Sequence, residues 1–129
     1  MKILHLDKNH DSLINELKKS GYINVEGYKM KLAKVKSIIY KFDGIVIRSR
    51  FNIDSDFLKN GRKIKFVARV GSGSENIDVQ YLKKRGIKLI SAPEGNSNAV
   101  GEHAVGLILS LLNKLNLAND SVKNKLWIR

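Results

Sequence analysis

Short β-branched runs alternate along the chain with stretches whose apolar residues recur at helical spacing. Lys2 to Leu6 (KILHL) predicts a strand, followed by a polar helix from His10 to Lys19 that keeps Leu13, Ile14 and Leu17 on one face. Tyr22 to Tyr28 predicts a second strand, Lys31 to Ser37 a short helix, and Gly44 to Ile47 (GIVI) a strand buried on both faces. Asp54 to Asn60 predicts a helix with Gly61 just past its end. Lys65 to Val70 (KFVARV) follows as a strand, Asp78 to Arg85 as a helix stopped by Gly86, and Ile87 to Ile90 as a last strand. The final element differs. Asn98 to Leu117 is expected to be one helix, with Ala99, Val100, Ala104, Leu107, Ile108, Leu111, Leu112 and Leu115 at helical spacing and Val105 and Leu109 off that stripe. A helix apolar over so much of its circumference is expected to face another domain or subunit.

Strands alternating with helices imply a parallel sheet covered on both faces, because parallel neighbours need crossover connections. The expected architecture is a flavodoxin-like, doubly wound α/β sheet of about five strands plus a long C-terminal helix. The domain expectation is a substrate-binding part over residues 1–97. A linking helix over 98–129 then leads toward a further domain. After Asn119 the chain turns polar and ends in Leu126-Trp127-Ile128-Arg129 with no following element to bury the tryptophan, so it looks cut short.

Composition narrows the chemistry. A length of 129 residues with 43% hydrophobic content suits one globular core. The longest apolar stretch, Ala104 to Leu112, is far shorter than a membrane span, and no secretory signal opens the chain, so a soluble, cytoplasmic protein is expected. Without cysteine there is no disulfide, thiol nucleophile or thiolate-held metal, and three scattered histidines argue against a metal site. The formal charge of +12 suggests a polyanion, but 18 Lys, 14 Ile and 12 Asn are what A/T-rich codons produce whatever the function. The aromatics are not interleaved with the cations as a base-stacking platform requires, so nucleic acid is not the expected partner.

In an open parallel sheet, ligands bind outside the carboxyl ends of the strands. Here those ends are small or polar: Asp7 after the first strand, Arg48-Ser49-Arg50 after the third, Gly71-Ser72-Gly73-Ser74-Glu75-Asn76 after the fourth, and Ser91 to Ser97 after the fifth. Together they suggest an anion site. Gly71 to Asn76 is not a dinucleotide fingerprint, since Asn76 stands where the third glycine belongs. What remains is a glycine pair before a helix, with backbone N–H groups able to bind a carboxylate or phosphate. The Arg48 guanidinium offers the fork that matches such an anion, and its rival use is an ion pair with Asp43 or Asp54. Ser97 or Asn98 is expected to cap the long helix, with Asn96 one step earlier, free to reach a ligand. Glu102 suits the helix start, His103 a packed or interface position, and His5 and His10 structural or solvated ones.

These blocks together resemble the N-terminal part of the D-isomer-specific 2-hydroxyacid dehydrogenases. Gly44 to Arg50 (GIVIRSR) looks like the strand and loop that present a substrate-binding arginine. Ala68 to Asp78 (ARVGSGSENID) resembles the family's carboxylate-binding glycine loop, and Ala92 to His103 (APEGNSNAVGEH) the turn and helix leading into a nucleotide domain. The resemblance implies that Arg48, Ser49, Ser72, Gly73 and Asn96 bind a small anionic 2-hydroxy acid, with Ser72 and Asn96 also near the nicotinamide of NAD. It implies a homo-oligomer for the full-length enzyme. The catalytic arginine, glutamate and histidine of the family, with its GxGxxG loop, have no counterpart in this chain. No dehydrogenase turnover is therefore expected of it alone. The alternatives are a non-catalytic remnant or interaction module with the same fold, or a receiver-like signalling domain. The last would need a phosphorylatable aspartate where Arg48 stands.

Overall fold

The computed structural model describes residues 1–127; Ile128 and Arg129, part of the terminal segment singled out above, lie outside the described residues. The elements are β1 (Lys2–His5), α1 (Asp11–Lys19), β2 (Ile23–Glu26), α2 (Leu32–Ile38) running into a tight turn at Ile39–Lys41, β3 (Gly44–Ile47), β4 (Phe66–Arg69), α3 (Val79–Lys84), β5 (Lys88–Ile90), α4 (Ser97–Leu112) and α5 (Leu115–Lys123). All pairs are parallel and the strand order is β2-β1-β3-β4-β5, the flavodoxin-like order expected from the sequence. The chain steps from β1 outward to β2 and returns to the other side of β1 at β3, which puts the topological switch point between β1 and β3.

Register decides which residues share a face. Leu4, Ile45, Val67 and Leu89 form one row across β1, β3, β4 and β5. That face packs against Val35 and Ile39 from α2 and its turn, Phe57 and Leu58 from the β3–β4 connection, and Leu82 from α3. On the other face Ile3, Val46 and Phe66 line an open apolar cleft together with Leu13 and Leu17 of α1. Met1–Pro93 forms one unit, and a second begins at Glu94.

Two helix expectations are corrected. Asp54 to Asn60 is a series of turns, because the bonds Lys59 N–H to Asp56 O and Gly61 N–H to Leu58 O are of the tight i→i+3 kind. Only Leu58 N–H to Asp54 O has helical spacing, too little to offset helix nucleation in so short a segment. Asn98 to Leu117 is not one helix, because the backbone breaks at Asn113 and Lys114, where Lys114 takes a left-handed φ of 51°. The Asn113 side-chain amide donates to Leu109 O and closes α4. In the second unit the apolar residues of α4, including Val100, Leu107, Ile108 and Leu111, are exposed.

His5 is structural, as its strand position suggested. Its ring is 1% exposed and lies between two amides. Asn24 Nδ2 donates to Tyr22 O, which turns its Oδ1 toward His5 Nε2 at 2.8 Å; Asn9 Nδ2 donates to Asp7 O and approaches His5 Nδ1 at 3.0 Å. A neutral ring protonated on Nε2 satisfies both. Burial lowers the His5 pKa below 6.5, against the opposing pull of the Asn24 bond and the Glu26 charge. The folded state thus binds fewer protons than the unfolded one, and stability falls as pH drops below 6.5 toward the lowered folded value. We expect urea midpoints measured from pH 7.5 to 5 to decline for the native sequence and to stay flatter for His5→Gln. Equal slopes would show that His5 does not titrate on unfolding.

Candidate functional site

Three backbone or carboxylate bonds run along the carboxyl edge of the sheet. Asp7 Oδ2 accepts the Arg48 N–H at 2.7 Å, tying the end of β1 to the end of β3 across the switch point. Val70 N–H donates to Ile47 O at 2.8 Å, which continues the β3–β4 ladder into the glycine loop. Ala92 N–H donates to Gly71 O at 3.1 Å and draws the segment after β5 to the same edge. Arg48 and Ser49 are exposed at the end of β3, whose neighbour β4 runs into the loop that carries Ser72 and Gly73. Among the described residues no carboxylate forms a salt bridge with Arg48. Its two rival partners are engaged elsewhere: Asp43 accepts the Lys2 N–H, and Asp54 Oδ1 accepts the Phe57 N–H.

The glycine loop is shaped by its neighbours. Gly71 has φ +146°, and a side-chain carbon there would run into Nη1 of Arg69. At Gly73 the same carbon would meet the Glu75 carboxylate. Asn76, which displaces the third glycine of a nucleotide fingerprint, donates its side-chain amide to Phe51 O at 2.8 Å. Ile53 N–H to Asn76 O and Asp78 N–H to Ile53 O complete a small parallel bridge, so the loops after β3 and β4 are held as one piece.

Several expectations change here. At the start of α3, a helix of six residues, Asp78 Oδ1 accepts the Tyr81 N–H, so one of the N–H groups expected for a ligand is capped by the chain itself. Ser97 does not cap α4. Its hydroxyl donates back to Glu94 O, while Asn96 occupies the cap position without a side-chain bond. Asn96 belongs to the second unit, and Arg48, Ser49, Ser72 and Gly73 to the first.

Two arginines stand out only in three dimensions. Arg69 Nη1 donates to Val70 O at 2.9 Å, and its Nε is buried without a hydrogen-bond partner among the described residues. The head group lies against Gly71, with Nη1 as the nearer nitrogen. The KFVARV run hides it as a strand residue; its signal is a cation two positions before a Gly-x-Gly at a strand end. Arg50, by contrast, is occupied by backbone carbonyls. The residues do not fit the pyrophosphate of a dinucleotide: Asn76 stands where the third glycine of the fingerprint belongs, and its side chain is bonded to Phe51 O.

The all-parallel order of the sheet, its switch point between β1 and β3, and the glycine loop after β4 define a flavodoxin-like α/β domain. Residues 3–124 match the D-isomer specific 2-hydroxyacid dehydrogenase family, catalytic domain, and the chain belongs to that family. It is 32% identical over its whole length to a D-3-phosphoglycerate dehydrogenase of Archaeoglobus fulgidus, and over 81% of its length to a hydroxypyruvate reductase of Thermotoga maritima. It spans 24% and 34% of those two proteins. Among solved structures, the PH0520 protein of Pyrococcus horikoshii aligns over 99% of this chain and 38% of its own, with TM-score 0.90 and 29% identity. A cofactor (NAD+) bound 3-phosphoglycerate dehydrogenase of Entamoeba histolytica aligns over 85% of this chain and 38% of its own, with TM-score 0.66 and 30% identity.

Proposed function

We propose that this chain is the substrate-positioning part of an NAD-dependent D-2-hydroxyacid dehydrogenase of the phosphoglycerate dehydrogenase type, which oxidises a 2-hydroxy acid to a 2-keto acid. The observation that carries this reading is Arg48, exposed at the end of β3 with no carboxylate partner among the described residues, while the neighbouring strand β4 ends in an arginine with a buried, unpaired Nε and runs into the glycine loop. Arg48 and Ser49 hold the acidic end of the substrate, and the Ser72 and Gly73 amides bind its carboxylate, with Arg69 adding positive charge behind Gly71. Ser72 and Asn96 border the nicotinamide. NAD supplies the hydride acceptor, and residues 1–97 act as the substrate-binding part, with 98–129 leading toward the nucleotide-binding part. The exposed apolar surface of α4 supports a homo-oligomer in the full enzyme. Among the described residues no helix is long and apolar enough to cross a membrane.

Titration of the chain with D-3-phosphoglycerate, followed by backbone amide shifts, should move Arg48, Ser49, Ser72 and Gly73. Arg48→Gln should weaken binding by roughly tenfold or more, the loss of a charge-assisted pair. The chain alone should show no NADH oxidation with keto acids, since the family resemblance gives the catalytic arginine, glutamate and histidine no counterpart among its residues. Shifts confined to other regions, or turnover above background, would overturn the reading.

A further inference from the structure

Arg48 and Arg50 flank Ser49 and look equivalent in sequence, two cations at one strand end. Their surroundings are opposite. Arg50 Nη1 donates to Leu6 O at 3.1 Å and to Gly27 O at 3.0 Å, and Nη2 donates to Met30 O at 2.6 Å. Those carbonyls come from the end of β1, the end of β2 and the turn into α2. The guanidinium also lies 4.6 Å from the centre of the Phe51 ring. Arg50 also lines a shallow cleft with Lys36, Phe51, Asp54, Asp56 and Phe57, in which Lys36 pairs with Asp56 and the two carboxylates balance the two cations.

We infer that Arg50 is a positioning residue for the anion site: it clamps three backbone carbonyls around the β1–β3 switch point and so sets where Arg48 and Ser49 stand, without touching the ligand itself. The inference rests on the proposed substrate site. Mechanically the clamp is well placed. Leu6 directly precedes Asp7, whose carboxylate holds the Arg48 N–H, and Phe51, on which the clamp stacks, has its carbonyl held by Asn76 of the glycine loop. Pulling the β1 and β2 ends onto the β3 loop therefore fixes both sides of the crevice. A planar fork reaching several acceptors cannot be imitated by an ammonium group, which is a point charge on a flexible stem.

The test uses the intact chain with D-3-phosphoglycerate and D-glycerate, which differ only in the phosphate. In the unmodified protein, saturation with either acid should leave the Arg50 side-chain N–H resonances in place while those of Arg48 move. Arg50→Lys keeps the charge; it should nonetheless weaken both acids by a similar factor, about fivefold or more, and speed amide exchange at Asp7, Met30 and Arg48 with that of Val67 unchanged. Movement of the Arg50 resonances on titration, or a loss on Arg50→Lys that falls mainly on the phosphorylated acid, would make Arg50 a ligand and overturn the inference. Unchanged exchange at Asp7, Met30 and Arg48 would overturn it as well. If the unmodified chain bound neither acid, the proposed substrate site would fail, and amide exchange in Arg50→Lys would still decide whether the clamp exists.

Discussion

Gly71→Ala is expected to destabilise the chain by about 1–3 kcal/mol and to abolish detectable anion binding. Two effects combine at this position. A φ of +146° lies in a region that residues with a Cβ scarcely populate, and the added carbon would collide with the Arg69 guanidinium, 3.1 Å from its Cζ. Relief requires Arg69 to leave Val70 O or the loop to swing, and Gly71 O is itself held by Ala92 N–H. Either movement displaces the Ser72 and Gly73 amides. Gly86→Ala is the control, because Gly86 also has positive φ, +67°, but open space around the missing carbon. Thermal unfolding of both variants separates the terms. If Gly71→Ala cost no more than Gly86→Ala and retained affinity, the guanidinium would not be packed against the loop.

Phe57→Ala should cost about 3–5 kcal/mol, a large share of the roughly 5–15 kcal/mol typical of a domain this size. Phe57 is 1% exposed and belongs to the main cluster beneath β1, β3 and β4. Its ring centre lies 6.1 Å from that of Phe51, so the cavity would open directly under the loop that carries Arg50. Urea unfolding monitored by circular dichroism measures the loss, and a value under about 1 kcal/mol would mean that the turns at 54–60 are not anchored by this side chain. The same variant should weaken ligand binding more than a core truncation at Ile87, which packs far from the switch point at the start of β5.

Much of the fold was legible because its signals are local. Gly44 to Ile47 was assigned to the residue, since four apolar residues between Asp43 and Arg48 leave a buried parallel strand little freedom. The α3 helix and its stop at Gly86, with φ +67°, follow from turn chemistry that any neighbour sees in sequence. The turns at 54–60 were missed because Asp54 and the apolar pair Phe57-Leu58 suit a helix start equally well. Only the burial of both side chains and the tight bonds around them select turns. The break at Asn113 and Lys114 was hidden by uninterrupted apolar spacing on either side, since periodicity reports a face and not a backbone angle.

The candidate site divides the same way. Pattern alone determined that this chain builds a parallel α/β sheet and that the ends of its strands carry glycine, serine and arginine, because alternation, helix stops and strand-end polarity are properties of short segments. Which cations remain available for a ligand was decided only by tertiary structure. Arg48, Arg50 and Arg69 are alike as residues, but carbonyls contributed by positions 6, 27 and 30 occupy the second, and the third keeps a buried Nε without a partner among the described residues. A guanidinium's role depends on the acceptors that folding brings to it from distant parts of the chain, and those acceptors are mostly backbone atoms that every sequence has.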